Sequence, residues 1–235
     1  MIEKISKINM RILGLFKAFF IGGLKGHFSQ YGEDIIIHKI FSKRVDNGFY
    51  VDIGSFHPFR YSNTAYLWLK GWSGINVDAN QKTIAKFKSV RPGDINVYGA
   101  VVASDFAQKN RTVTMYASDS AINPMGTCDR AIAAVNGFAI ETKVPTLTVK
   151  EILSMSGDRN IDFLNIDIEG LDEEVVQEID FNRYKPKVIC IEDAGESISE
   201  VLTTKITAIL SGAGYSLDYR IGPSSIFRLA TFKIE

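Results

Sequence analysis

Carboxylates recur in this 235-residue sequence where apolar, β-branched runs give out: Asp52 after FYV, Asp78 after GINV, Asp167 and Glu169 after FLNI, Glu192 and Asp193 after VICI. An acidic group so placed can accept hydrogen bonds from ligand hydroxyls, take a proton from one, or ligate a hard cation. Gly54 and Ser55 follow Asp52, and Asp78 stands 24 positions beyond Gly54. A carboxylate ending the second strand of a parallel sheet can accept both hydroxyl protons of a ribose, which points to an adenosine-bearing ligand. A plain strand-to-loop turn would leave the same trace. Only one glycine stands where a pyrophosphate needs G-x-G-x-x-G, and GxxxxGK[ST] is absent. NAD and ATP are thereby disfavoured, and S-adenosylmethionine, which carries no phosphate, fits better.

The other strand ends add candidates. Asn80 follows Asp78, and Ala100 opens the polar end of a third run. Asp167, Glu192 and Asp193 form a trio of hard oxygen ligands that suits Mg or Mn better than zinc, with cofactor hydrogen bonding or a structural role as the alternatives. His57 has the right unperturbed pKa for a general base, although a histidine before Pro58 also serves as loop packing. Phe59, Tyr61, Tyr66, Trp68 and Trp72 crowd the same region, either to stack on a sugar or to fill a core. Asp172, Glu173 and Glu174 read as the first turn of a helix, where its dipole favours acids, so they are left out of the site.

These residues need a parallel sheet to bring them together. Strands are expected at 49–53, 74–77, 95–102, 161–166 and 187–191, with helical segments near 34–41, 64–70, 81–90, 149–155, 172–179 and 197–211. Such alternation is the mark of an α/β fold with crossover helices. GYSLDYRIG and SSIFRLATFK around Gly222-Pro223 add an antiparallel hairpin at the sheet's end. The expected architecture is a Rossmann-like, seven-stranded, mostly parallel sheet with a C-terminal antiparallel hairpin, the plan of class I methyltransferases. Residues 105–146 break the alternation and are expected to cover the substrate.

The composition, 46% hydrophobic and 23% charged, is that of a globular chain, and nothing in it supports a second domain. Lysine plus arginine and aspartate plus glutamate both number 27, so the basic excess of a nucleic-acid binder is missing. Cys128 and Cys190 stand far apart, which suits a reducing cytoplasm rather than a disulfide framework or a zinc site. Residues 1–25 carry a basic amphipathic pattern, with Ile5, Ile8, Ile12, Leu15 and Phe19 at helical spacing. Such a helix either packs on the domain or a partner subunit of an oligomer, or lies on a membrane surface. Its apolar part is too short to span a bilayer, and no A-x-A cleavage site follows.

In order along the chain come SQYGED at 29–34, YVDIGSFHPFRYSNT at 50–64, GWSGINVD at 71–78, RPGD at 91–94, IDFLNIDIEGLDEEVV at 161–176 and KPKVICIED at 185–193. Together they resemble the FkbM family of S-adenosylmethionine-dependent methyltransferases over roughly residues 28–230. The resemblance implies a cofactor loop of Asp52, Gly54 and Ser55, closed around the methionine part by Ser62 and Asn63, with Asp78 on the ribose. It implies that Asp167 lies near the reacting methyl; the expected acceptor is a hydroxyl of a sugar or glycan precursor, the alternatives being an amine or secondary-metabolite hydroxyl, or a catalytically silent nucleotide-binding or scaffold module. Two departures stand out: Asp78 where the family more often has Glu, and Asn165 where it often has Lys.

Overall fold

The computed structural model describes residues 26–42, 47–118, 126–128, 130–168 and 170–233. The amphipathic segment at 1–25 and Glu169 lie outside them. Nine helices among the described residues are α1 (Glu33–Ile40), α2 (Ala65–Leu69), α3 (Gln81–Val90), α4 (Ser104–Lys109), α5 (Arg130–Asn136), α6 (Val149–Ser154), α7 (Asp172–Gln177), α8 (Ile198–Val201) and α9 (Lys205–Gly212). The strands are β1 (Phe49–Ile53), β2 (Ser73–Asp78), β3 (Ile95–Tyr98), β4 (Ala100–Val101), β5 (Thr112–Ala117), β6 (Gly126–Thr127), β7 (Ile140–Leu147), β8 (Phe163–Ile166), β9 (Val188–Glu192), β10 (Tyr215–Ile221) and β11 (Ser224–Leu229).

Seven strands make the main sheet, in the order β10-β11-β9-β8-β1-β2-β3. The ladders joining β3, β2, β1, β8 and β9 are parallel, and β11 runs antiparallel to both of its neighbours. Strand β1 is buried along its whole length, as a central strand covered on both faces must be. Its alternation divides the core. Phe49, Val51 and Ile53 face one cluster with Leu164, Ile166, Ile189 and Ile191, capped by α6, α7 and α9. Tyr50 faces the other, with Phe163, Val188 and Cys190 against α1 and Leu67 of α2. The result is a three-layer sandwich whose β1–β8 junction is the point where successive crossovers change direction.

Two expected elements split. The run expected at 95–102 ends its main-sheet ladder at Tyr98, and after Gly99 the chain leaves to form β4. Strand β4 pairs in parallel with β7, and β7-β5-β6 continues antiparallel as a separate small sheet. The helix expected at 197–211 is two helices: Ser197 caps α8 by accepting from the Glu200 N–H at 3.3 Å, and Thr204 caps α9 by accepting from the Thr207 N–H at 3.2 Å. Among the described residues no helix is long and apolar enough to cross a membrane.

Candidate active site

The carboxyl ends of β1, β2, β8 and β9 and the small sheet above them enclose a cavity of about 350 Å³. Asp52, Gly54, Ser55, Asn63, Asp78, Asn80, Ala100, Asp167 and Glu192 all line it. Met115, Gly126, Thr127 and Cys128, from the irregular segment, line it as well. Burial pushes the Cys128 thiol up to about 11, so it is held protonated at neutral pH.

The floor is drawn tight at one glycine. Gly54 has φ +84°, and a Cβ there would lie 1.7 Å from the carbonyl oxygen of Asp167. Beside it, the Gly54 and Ser55 N–H groups both donate to the Val77 carbonyl at 3.0 Å, tying the first loop to β2. The glycine thus serves the close approach of two strand ends of the protein itself.

Asp78 ends β2 and accepts from the Phe56 N–H at 2.8 Å and the Asn80 N–H at 2.6 Å. Burial pushes its carboxyl up to about 6, against the pull of those two N–H groups. Each carboxylate oxygen keeps a second lone-pair direction. The Asn80 side chain caps α3, accepting from the Lys82 N–H at 2.9 Å. Asp52 is buried, and each of its oxygens accepts one hydrogen bond: Thr64 Oγ1 donates to Oδ2 at 2.8 Å and Asn165 Nδ2 to Oδ1 at 3.0 Å. Burial raises its pKa, with Thr64, Arg91 and Asn165 opposing. Asn63 Nδ2 donates to Asn165 Oδ1 at 2.9 Å, so Asn165 is a neutral bridge between Asp52 and Asn63.

Three expected roles do not survive the geometry. Ser62 is 1% exposed and does not line the cavity; its hydroxyl lies 3.4 Å from Arg91 Nη2 and 3.3 Å from Thr64 Oγ1, bracing the loop from behind. His57 is also absent from the lining, and its Nδ1 accepts the Phe59 and Arg60 N–H groups, each at 3.1 Å. That leaves the proton of the neutral ring on Nε2. Burial lowers the His57 pKa, with Lys86, Arg60 and Arg91 adding to the effect. His57 organises a turn and is not placed to act as the base.

The metal trio fails at Asp193. The register that sets Ile166 beside Ile191 puts Asp167 and Glu192 one step beyond the ladder on neighbouring strands, and both line the cavity. Consecutive residues of an extended chain point to opposite sides, and Asp193 turns away from it. Its Oδ1 accepts the Gly195 N–H at 3.2 Å and its Oδ2 accepts Thr204 Oγ1 at 2.9 Å. Among the described residues no three His, Cys, Asp or Glu side chains gather as a metal cluster. The donor set does not fit a Mg or Mn site.

Two residues outside the expected set matter. Glu33 is 3% exposed yet lines the cavity, accepting the Tyr31 N–H at 2.9 Å and the Ser224 hydroxyl at 3.2 Å. Arg91, from the RPGD motif, is fully buried behind the loop that follows β1. Its Nη1 donates to Tyr50 Oη and Thr64 Oγ1, each at 2.9 Å, and its Nη2 donates to the Pro58 carbonyl. Its charge opposes the buried carboxylate of Asp52, and Tyr50 links it onward to Asp94. Phe56 and Tyr61 hold left-handed backbone, φ 52° and 53°, and their rings stack at 5.8 Å with the Arg60 guanidinium 4.8 Å from the Tyr61 centroid. Such conformations cost about 1–3 kcal/mol each and persist where surrounding contacts impose them.

A five-strand parallel ladder with an antiparallel strand wedged before the edge is the architecture of the class I methyltransferase fold, and here a carboxylate-lined crevice lies at its switch point. The chain belongs to the methyltransferase FkbM domain family, whose sequence model matches residues 52–217, and it is an S-adenosylmethionine-dependent methyltransferase. No curated protein matches it. Among solved structures, it is similar to a TehB-like SAM-dependent methyltransferase from Corynebacterium glutamicum, at 12% identity and TM-score 0.42, covering 95% of this chain and 99% of that one. It is also similar to precorrin-6y C5,15-methyltransferase from Geobacter metallireducens, at 12% identity and TM-score 0.37, covering 83% and 84%.

Of the aromatic residues expected to stack on a sugar, Trp72 is buried against Phe41, while Trp68 and Tyr66 pack edge-on to Phe59 and Phe28. Tyr61 alone of that group lines the cavity, joined there by Tyr31.

Proposed function

We propose that the enzyme transfers a methyl group to a hydroxyl of a sugar or glycan precursor, with Asp167 or Glu192 taking the hydroxyl proton. The observation that carries this reading is the pair Tyr31 and Tyr61, which line the carboxylate-bearing cavity yet remain 49% and 46% exposed. Rings recruited to a core lose that exposure, as Trp72 has at 4%. A sugar offers C–H faces to such rings and hydroxyls to carboxylates, the mixture of apolar wall and few polar groups that small-molecule sites use.

S-adenosylmethionine, when bound, supplies an electrophilic methyl on a sulfonium sulfur. Asp78 would hold its ribose, with Asn80 and Ala100 beside it, and Asp52, Gly54, Ser55 and Asn63 would shape the methionine end. That methyl would be the group received by the acceptor oxygen, the sulfur keeping the electron pair of the C–S bond, and Asp167 or Glu192 would take the hydroxyl proton. Alignment of the two reactants contributes most, and proton acceptance typically adds 10²–10⁴-fold.

The test is S-adenosylhomocysteine release with a panel of sugar acceptors, the product analysed by mass and NMR. A methyl ether is expected, with Asp167→Asn plus Glu192→Gln lowering kcat by about 100-fold or more and Tyr31→Ala acting mainly on KM. Methyl transfer to an amine nitrogen, or release with none of the hydroxyl acceptors, overturns the proposal.

A further inference from the structure

Asp52, Asn165 and Cys190 stand side by side across the main sheet. The registers pair Asp52 with Asn165 and Asn165 with Cys190, on the face that carries Tyr50 and Phe163. Asn63, from the loop after β1, reaches the same place, its Nδ2 lying 2.9 Å from Asn165 Oδ1 and 3.8 Å from Cys190 Sγ. Asp52, Asn63 and Asn165 all line the cavity.

A side-chain amide can be turned either way, but here its direction is set from within the protein. Arg91 Nη1 donates to Thr64 Oγ1 at 2.9 Å, and arginine has no acceptor to offer, so the Thr64 hydroxyl proton is left for Asp52 Oδ2 at 2.8 Å. Asp52 Oδ1 accepts from Asn165 at 3.0 Å. Turning Asn165 over would set its oxygen against that carboxylate oxygen, so Nδ2 faces Asp52 and Oδ1 faces Asn63. The same constraint passes outward. Asn63 must present Nδ2 to Asn165, and its Oδ1 is left over. That oxygen accepts no hydrogen bond from the described residues, and it is not sealed in the interior, where Arg91 Nε is the one described side-chain nitrogen or oxygen without a partner. Each amide in the row polarises the next, which strengthens Asn63 Oδ1 as an acceptor.

We propose that Asn165 is a positioning residue for the cofactor: by fixing the direction of the Asn63 amide, it presents Asn63 Oδ1 to the cavity as an acceptor for the α-ammonium of S-adenosylmethionine. The proposal rests on the cofactor placement given above, with the methionine end beside Asp52 and Asn63, and adds which group of that end lies there. An ammonium carries three donors and no acceptor, a carboxylate the reverse. The atom that Asn63 leaves to a ligand is an oxygen, so it matches the ammonium and repels the carboxylate.

The experiment measures binding to the full chain by calorimetry, with S-adenosylhomocysteine, its deamino analogue and adenosine as ligands, for the parent, Asn63→Leu, Asn165→Leu and Asn165→Asp. In the parent, loss of the amino group should weaken binding by about tenfold or more. In Asn63→Leu and Asn165→Leu that ratio should fall to about threefold or less, because S-adenosylhomocysteine weakens while the deamino analogue holds. Asn165→Asp still turns an oxygen toward the Asn63 amide and should keep the parent's ratio. A residue that only supported the fold would weaken both ligands alike. Equal weakening of the two, a parent that does not distinguish them, a parent-like ratio in either leucine variant, or loss of the ratio in Asn165→Asp overturns the inference. Should Asn165→Leu fail to fold, Asn63→Leu and Asn165→Asp decide by the same comparison. Adenosine reports the ribose end alone: if Asp78→Asn leaves its affinity unchanged, the ribose placement falls, and the amino-group ratios still decide the role of Asn165.

Discussion

Arg91→Met should uncouple the cofactor loop from the sheet. The guanidinium holds Pro58 and Ser62 of the loop on one side and Tyr50 and Thr64 on the other, at full burial, with its Nε unpartnered. Its charge also opposes that of the buried Asp52. Methionine fills much of the volume, so the cost is chiefly polar: donors withdrawn from Thr64, Tyr50 and the Pro58 carbonyl, and a nearby positive charge lost to the buried Asp52. Removing one member of a buried charged set costs about 3–5 kcal/mol. For a chain of 235 residues that lowers Tm by roughly 6–20 °C. Such a loss falls within a typical stability of about 5–15 kcal/mol, so enough folded protein should remain for the second reading. Urea and thermal unfolding give the first number, and S-adenosylhomocysteine affinity by calorimetry gives the second, which should fall at least about tenfold through loss of loop order. Arg91→Lys keeps the charge without the fork and should lie between. A Tm within about 2 °C of the parent, with unchanged affinity, would refute the assignment of Arg91 as the brace of the cofactor loop.

Two further outcomes follow from the same geometry. Asp78 has its folded pKa raised from 3.8 to about 6, so its contribution to stability is present below pH 4 and is lost as pH rises through 6. Cofactor affinity should run the other way, strengthening as pH climbs through 6 and the carboxylate becomes a full acceptor for the ribose; a flat profile in calorimetry between pH 5 and 7.5 counts against the ribose role. Thr204→Ala removes the cap of α9 and a partner of Asp193, and should cost about 0.5–2 kcal/mol in urea unfolding with kcat unchanged, whereas a change in kcat would return Asp193 to the site.

The main sheet was legible because its strands are short β-branched runs separated by helical patterns, and each side chain at a strand end inherits its position from that pattern. Asp52, Asp78, Asp167 and Glu192 were found this way, and all line the cavity. The same reasoning misled at Asp193, because two acids adjacent in sequence were taken as neighbours in space while the backbone sends them to opposite sides. His57 was proposed from its imidazole chemistry; what decides its role is the turn around Pro58, which brings two N–H groups to Nδ1. Glu33, in the SQYGED motif, reads in sequence equally as a pocket residue or as a helix start; it accepts the Tyr31 N–H, and the Ser224 hydroxyl from the far end of the chain joins it at the cavity wall. Arg91 left only the RPGD motif as a trace, since its contacts reach back to residues 27–41 positions earlier.

The departure of the chain from the main sheet after Gly99 bears on how this enzyme can change. Between β4 and α6 the chain makes an excursion: the small sheet pairs with itself and with β4, and among the described residues no ladder of the seven-stranded sheet passes through it. Residues 105–146 can be lengthened, shortened or exchanged without breaking a main-sheet hydrogen bond, while the strand ends beneath them stay in register. We propose that this segment covers the acceptor; the strand ends would then be a fixed base, and grafting the segment from one family member to another would alter what enters the cavity.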